Sequence, residues 1–243
     1  MSFSVENRPS PNFNARRGKV NALVLHYTGM DTGENAIERL CSKDAQVSSH
    51  YVVEEDGTIW RLVDENNRAW HAGRGEWRGI TDMNSASIGI EIVNGGHVYG
   101  LPEYPDEQIK AVILLSREII AGWKIPKTGI VAHSDMAPER KLDPGERFPW
   151  KRLAHAGIGL WPDEDRLAII RQNAQEPNSP AALSALKRQM RTIGYGMDDS
   201  EVYTPQTRAC VAAFQRRWRP ESVTGLPDTD TVALITHIAE LSA

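Results

Sequence analysis

The stretch SASIGIEIVN, residues 85–94, constrains this chain more than any other. Ile88, Ile90 and Ile92 recur at every second position, the period of a β-strand, which puts Glu91 on the opposite face with Gly89 and Val93. A carboxylate buried there without a partner is costly. Either the strand is an edge with Glu91 in water, or the fold buries it and gives Glu91 a role. For a lone glutamate the first is the commoner case; the flanking isoleucines and small Gly89, which leaves room on the same face, weaken it here.

The remaining elements give that strand a setting. NALVLHYTG (21–29) reads as a buried strand, with His26 sharing a face with Val24 and Thr28, opposite Leu25 and Tyr27. GENAIERLCS reads as a short helix. SSHYVVEEDGTIWRLVD (48–64) is a hairpin turning at Asp56-Gly57. Pro105 to Trp123 carries apolar residues at helical spacing, TGIVAH (128–133) is a short strand, and 163–175 is a further helix. The polar stretch NAQEPNSP then reads as a linker. Three helical patterns follow at 181–193, 204–218 and 229–241, the last two with Thr204 and Thr229 as expected N-caps. The expected fold is α/β, a central mixed β-sheet flanked by helices at 1–172, then a linker at 173–180 and a small three-helix domain at 181–243.

Composition narrows the function. With 243 residues, 40% hydrophobic, 25% charged and a net charge of −4, the chain has ordinary globular composition. No basic domain or stripe points to nucleic acid. Arg216, Arg217 and Arg219 read as the solvated face of a helix. Cys41 and Cys210 are far apart, lack metal-ligand spacing and read as small core residues. Apolar runs such as Ala111–Leu115 are too short to span a bilayer. The first twenty residues hold no leader-type apolar stretch, so the expected compartment is the cytoplasm, with a periplasmic or phage lytic setting as the alternative.

The segment IVAHSDMAPERKLDPG (130–145) suggests a metal. Pro144 disfavours helical geometry at Asp143, and in an extended stretch Lys141 and Asp143 project to one side with Leu142 opposite. His133 ends the preceding strand across a loop that can fold back. With His26 these residues make a His-His-Asp set. Three protein ligands and one open position is the pattern of catalytic zinc, although other divalent ions compete for such donors.

LVLHYTG, SSHYVVEEDGTIWRLVDENNRAWHAG, NSASIGIEIVN and VAHSDMAPERKLDPG together resemble, in order and spacing, the zinc-dependent N-acetylmuramoyl-L-alanine amidases, which share their fold with peptidoglycan recognition proteins. The resemblance covers about residues 20–155. The tail is similar to the three-helix peptidoglycan-binding module, departing from it around Glu221–Thr224, where a glycine and an aspartate are expected. The resemblance implies one Zn2+ ion and hydrolysis of the amide joining (anhydro-)N-acetylmuramic acid to L-alanine of the stem peptide, so the expected partner is a muropeptide. It implies that His26, His133 and Asp143 are zinc ligands, that Glu91 is the catalytic acid/base and that Lys141 assists the oxyanion. A leaderless amidase of this kind fits cell-wall recycling.

Other residues keep two readings. His71 in WHAG is a substrate contact or a buried histidine behind the site. Trp70 and Trp77 wall the substrate groove or pack. Arg74 and Arg78 meet stem-peptide carboxylates or are solvated. His50, at the start of a strand, is as readily structural as functional, Tyr27 is core, and His97, His155 and His237 are surface. Two alternatives stand beside the amidase: a muropeptide-binding protein that does not cleave, and a zinc peptidase cutting within the stem peptide. Retention of all three candidate ligands argues against the first.

Overall fold

In the computed structural model, which describes residues 4–243, the chain runs β1 (Val5–Asn7), β2 (Phe13–Ala15), β3 (Ala22–Tyr27), α1 (Gly33–Cys41), β4 (Tyr51–Val53), β5 (Ile59–Arg61), β6 (Asn67–Ala69), α2 (Met83–Ala86), β7 (Ser87–Ile92) and α3 (Asp106–Trp123). It continues through β8 (Ile130–Ala132), α4 (His133–Met136), α5 (Trp150–His155), α6 (Glu164–Arg171), α7 (Pro180–Ile193), α8 (Pro205–Trp218) and α9 (Thr229–Ser242). The main sheet has the order β1-β5-β4-β7-β3-β8. Its centre is parallel, with β3 between β7 and β8, while β4 and β5 form the antiparallel hairpin that turns at Gly57, φ +91°. β2 and β6 form a separate two-stranded sheet. The small strands β1, β2 and β6 and the helices α2 and α5 carry no sequence period that announces them.

Central parallel strands are covered on both faces, which explains the near-continuous apolar run of β3. One face presents Leu23, Leu25, Ile88, Ile90 and Ile92 to Ile109, Val112 and Leu115 of α3. Gln108 of α3 donates from Nε2 to the carbonyls of Val53 and Val93, tying the helix to the ends of β4 and β7.

The other face is covered in two places. Toward β4, Ile37 and Leu40 of α1 pack on Val52 and Val93. Toward β8, Ala22, Val24 and Val131 share a core with Met190 and Ile193 of α7, Phe214 of α8 and Ile235 of α9. Leu167 and Ile170 of α6 join the same cluster, and Arg166 pairs with Glu240 at 2.7 Å. Between the two packed regions lie the polar residues of β3 and β7, among them His26, Ser87 and Glu91.

Helix ends follow ordinary capping chemistry. Ser179 and Thr204 cap α7 and α8, each followed by proline. The cap of α9 is Asp228 rather than Thr229, since its carboxylate already accepts the amide of Thr231.

The three arginines of α8 and its end are not a solvated face. Arg217 is buried against Asp135, Arg219 pairs with Asp228 and Asp230, and half-buried Arg216 lies 3.5 Å from Glu146. Of the cysteines, Cys210 is buried and Cys41 half-buried. Among the described residues, no helix is long and apolar enough to cross a membrane.

Candidate metal centre

In the register of the parallel pair β3–β7, His26 lies directly beside Glu91 and Val24 beside Gly89. Both polar side chains therefore leave the sheet on the same face near the carboxyl ends of their strands, where open α/β sheets place ligands. His133 follows the last residue of β8 and opens α4 rather than ending the strand. The loop after α4 returns Asp143 to the same point, where the backbone amide of Ser134 donates to the Asp143 carbonyl at 2.9 Å. Leu142 points outward, 40% exposed, while Asp143 is buried.

The three donors converge. His26 Nδ1 lies 2.8 Å from His133 Nδ1 and 3.1 Å from Asp143 Oδ2, and His133 Nδ1 lies 2.9 Å from that same oxygen. Tetrahedral zinc with bonds of about 2.0–2.1 Å separates its donors by about 3.3 Å, so a slight opening of this triangle admits the ion. Two imidazole nitrogens and one carboxylate oxygen suit zinc.

The far sides of the rings are held as metal ligands require. His133 Nε2 donates to the carbonyl of Ala72 at 2.9 Å. His26 Nε2 donates to His71 Nδ1 at 3.0 Å, and His71 Nε2 in turn faces Ser87 Oγ at 3.3 Å, whose hydroxyl donates to the Met83 carbonyl. This chain of donors leaves Nδ1 of both histidines free of hydrogen.

Electrostatics agree with that state at His26. Burial pushes His26 down to about 4, with His133 adding to the shift and Asp143 opposing it. Burial, with the neighbouring His26, also holds His71 well below the ordinary imidazole range. At Asp143 burial acts upward, but His133 and His26 outweigh it and hold the carboxylate far below its usual range. Neutral imidazoles and an ionised carboxylate are the forms that bind a metal.

Glu91 differs from Asp143 in its partners and in the direction of its shift. Its Oε2 is shielded from solvent and has no hydrogen-bond partner. Burial, then the charge of Asp143, raises its carboxyl well above the usual range, and Lys141 opposes the shift. Half-buried Lys141 thus acts on both Glu91 and His26.

His71 is turned inward, 8% exposed, and its ring fills the space over Gly89. Gly89 leaves room on that face for this imidazole: a Cβ at position 89 would lie 2.5 Å from His71 Cγ and Nδ1. Gly89→Ala therefore displaces the partner of His26. The expected result is a loss of roughly 10–100-fold in metal affinity, measured by competition with a chelator. An unchanged affinity would mean that His71 does not orient the ligand.

Trp77 is not a groove wall. It is 4% exposed, packs edge-on against Tyr195 at 5.1 Å and donates to the Thr128 carbonyl, because the tail covers it. Exposed Arg78 is not simply solvated, since its Nη1 donates to the carbonyls of Thr192 and Ile193 at the end of α7. Trp70 is half-buried and donates to Asn14 Oδ1. Arg74 is exposed and lines an open cleft of about 660 Å³ with Glu76, Glu139, Arg140 and Gln206.

His50 is fully buried and accepts the Gly89 amide on Nδ1. Tyr27 does lie on the far side of the sheet from His26, but half-buried, with its hydroxyl 3.0 Å from His97. His97 is consequently not a free surface residue; it also meets Glu146 at 3.0 Å. His237 is buried too, because its Nε2 accepts the Asp163 amide that precedes α6. His155 is exposed as expected.

Residues 16–146 match the N-acetylmuramoyl-L-alanine amidase family, and residues 179–235 match the putative peptidoglycan binding domain. The N-acetylmuramoyl-L-alanine amidase AmiD of Escherichia coli strain K12 is 39% identical over 236 residues, 91% of this chain and 83% of the relative. The 1,6-anhydro-N-acetylmuramyl-L-alanine amidase AmpD of Haemophilus influenzae is 37% identical over 108 residues, 44% of this chain and 56% of the relative. Among solved structures, the complex of E. coli AmiD with the substrate anhydro-N-acetylmuramic acid-L-Ala-D-gamma-Glu-L-Lys aligns with a TM-score of 0.82 at 36% identity, covering 94% of this chain and 92% of that one. AMPDH3 from Pseudomonas aeruginosa, in complex with anhydromuramic pentapeptide, aligns with a TM-score of 0.83 at 30% identity, covering 96% and 95%.

Proposed function

The chain belongs to the N-acetylmuramoyl-L-alanine amidase family, and from that premise we propose that it hydrolyses the amide between anhydro-N-acetylmuramic acid and L-alanine of the stem peptide, using one Zn2+ held by His26, His133 and Asp143. The observation that carries this reading is the donor triangle beside Glu91, whose Oε2 is shielded from solvent and has no partner of its own. The amidase unit is assigned to residues 1–172 and the helical unit to 181–243, with 173–180 between them.

When bound, Zn2+ supplies Lewis acidity toward water and a carbonyl oxygen. Glu91 accepts the proton of the attacking water on its free oxygen and hands it to the leaving nitrogen of L-alanine. Its raised affinity for a proton suits both transfers, which typically contribute about 10²–10⁴-fold. Lys141 stabilises the negative charge that develops on the tetrahedral oxygen. Asp143 has its Oδ2 committed to the metal position and cannot also act as base. His71 keeps His26 in the tautomer that offers Nδ1. Trp70 and exposed Arg74 are assigned to the substrate side of the groove, where Arg74 meets carboxylates of the stem peptide.

Product masses test the reaction. A soluble 1,6-anhydro-muropeptide incubated with the zinc-loaded chain is expected to yield the free sugar acid and the intact peptide. Cleavage inside the peptide would make the chain a peptidase, and binding without cleavage would make it a receptor. Wall turnover and recycling is the proposed setting, so the same soluble substrate is expected to be consumed faster than intact sacculi. The opposite preference would contradict that setting.

A further inference from the structure

His133 is gripped from behind by the helical tail. Asp135, two residues on, is completely buried with both carboxylate oxygens engaged. Its Oδ1 accepts the hydroxyl of Tyr195 at 2.7 Å. Its Oδ2 accepts Arg217 Nη1 at 2.7 Å and the backbone amide of Ala132 at 2.9 Å. The same Arg217 nitrogen donates to the carbonyl of Ile130 at 2.9 Å. Residues 130, 132 and 135, on both sides of His133, are thus held by one network, and its outer members come from the end of α7 and from α8.

This arrangement is poor as a simple stabiliser. A buried ion pair is often no better than well-packed apolar residues of the same size. Arg217 even leaves its Nε without a partner. What the network does supply is direction. The guanidinium plane is fixed between the rings of Trp150 at 4.2 Å and Trp218 at 4.4 Å, so the oxygens it binds have little freedom to shift.

We propose that Arg217 and Tyr195 are positioning residues of the metal centre: through Asp135 they fix the turn that carries His133, and the helical tail thereby sets metal affinity in the amidase unit. The proposal rests on the metal reading above, and its test separates the two. Zn2+ affinity is measured on the full chain by competition with a chromogenic chelator, alongside the melting temperature of the metal-free protein. Tyr195→Phe keeps the ring and deletes only the hydroxyl; the expected result is a roughly tenfold rise in the zinc dissociation constant, the lower end of the effect of residues that support metal ligands. The double variant Asp135→Leu with Arg217→Met removes both charges together and so avoids a lone buried ion; roughly a 10–100-fold rise is expected.

Lys187→Met is the control. Lys187 is a buried tail residue paired with Asp198 at 2.7 Å that shares no hydrogen bond with Asp135, Tyr195 or Arg217, and its loss is expected to lower the melting temperature without moving zinc affinity. Affinities within twofold of the parent for Tyr195→Phe and the double variant would overturn the proposal, as would an equal loss in Lys187→Met. A parent chain that binds no zinc would overturn the metal reading, and the proposal with it.

Discussion

Glu91→Gln is expected to lower kcat by about 10²–10⁴-fold, the ordinary contribution of a positioned acid/base group, while zinc stays bound and the fold stays intact. Glutamine has the same shape and accepts hydrogen bonds, but it cannot take a proton from water. The wild-type pH profile carries the same signature. Burial and nearby Asp143 raise the Glu91 carboxyl well above its usual range, and only the ionised form is a base. Activity is therefore expected to fall on the acid side of a pKa above that of a free glutamate, with the positive charge of a bound metal moderating the shift as Lys141 does. Stability runs the other way. A carboxyl whose folded pKa is raised contributes stability below its unfolded pKa, and that contribution is lost as pH rises through the folded value. Metal-free Glu91→Gln should therefore melt higher than the parent above that pH and gain little below it. Measured kcat, bound zinc and melting curves across pH check both halves; full activity in the variant would remove Glu91 from the mechanism.

Asp143→Ala is expected to have the largest effect, loss of the metal together with the activity. Asp143 is the only anionic donor of the three, and the triangle of 2.8–3.1 Å has no redundancy. Losing Lewis acidity worth several kcal/mol corresponds to about a thousandfold in rate or more. The parent stripped by a chelator should lose activity to the same degree and regain it with Zn2+, whereas the variant should not recover. Activity of the variant that returned with metal would show that another oxygen completes the site. The depressed pKa of Asp143 also gives a pH window in the metal-free parent. Its stabilising contribution is present above the pKa of an unfolded aspartate and fades as pH falls toward the lower folded value. Asp143→Ala should remove that acid-side dependence from the melting curve.

The site was more legible in the sequence than its surroundings. Strand period placed Glu91 opposite the isoleucines and His26 with Val24, and parallel register then brought the two polar residues side by side. Gly89 signalled room on that face, but a glycine does not say what fills it, and the identity of His71 as the occupant required the fold. Long apolar periods announced α3, α7, α8 and α9. The three-residue strands β1, β2 and β6 bury too little to leave a pattern.

Burial of polar residues was the hardest property to read. Arg217 and His237 look like surface residues in sequence because their partners, Asp135 and the Asp163 amide, lie far away along the chain. Trp77 looks like a binding aromatic until the tail is seen to cover it. In each case the deciding contact joins segments that local periodicity treats separately.

The most direct test is anomalous diffraction at the zinc edge from crystals of the full chain grown with Zn2+. One strong peak is predicted, bonded to His26 Nδ1, His133 Nδ1 and Asp143 Oδ2, with Glu91 facing its open side. No peak at that point, or a peak held by other residues, would contradict the account.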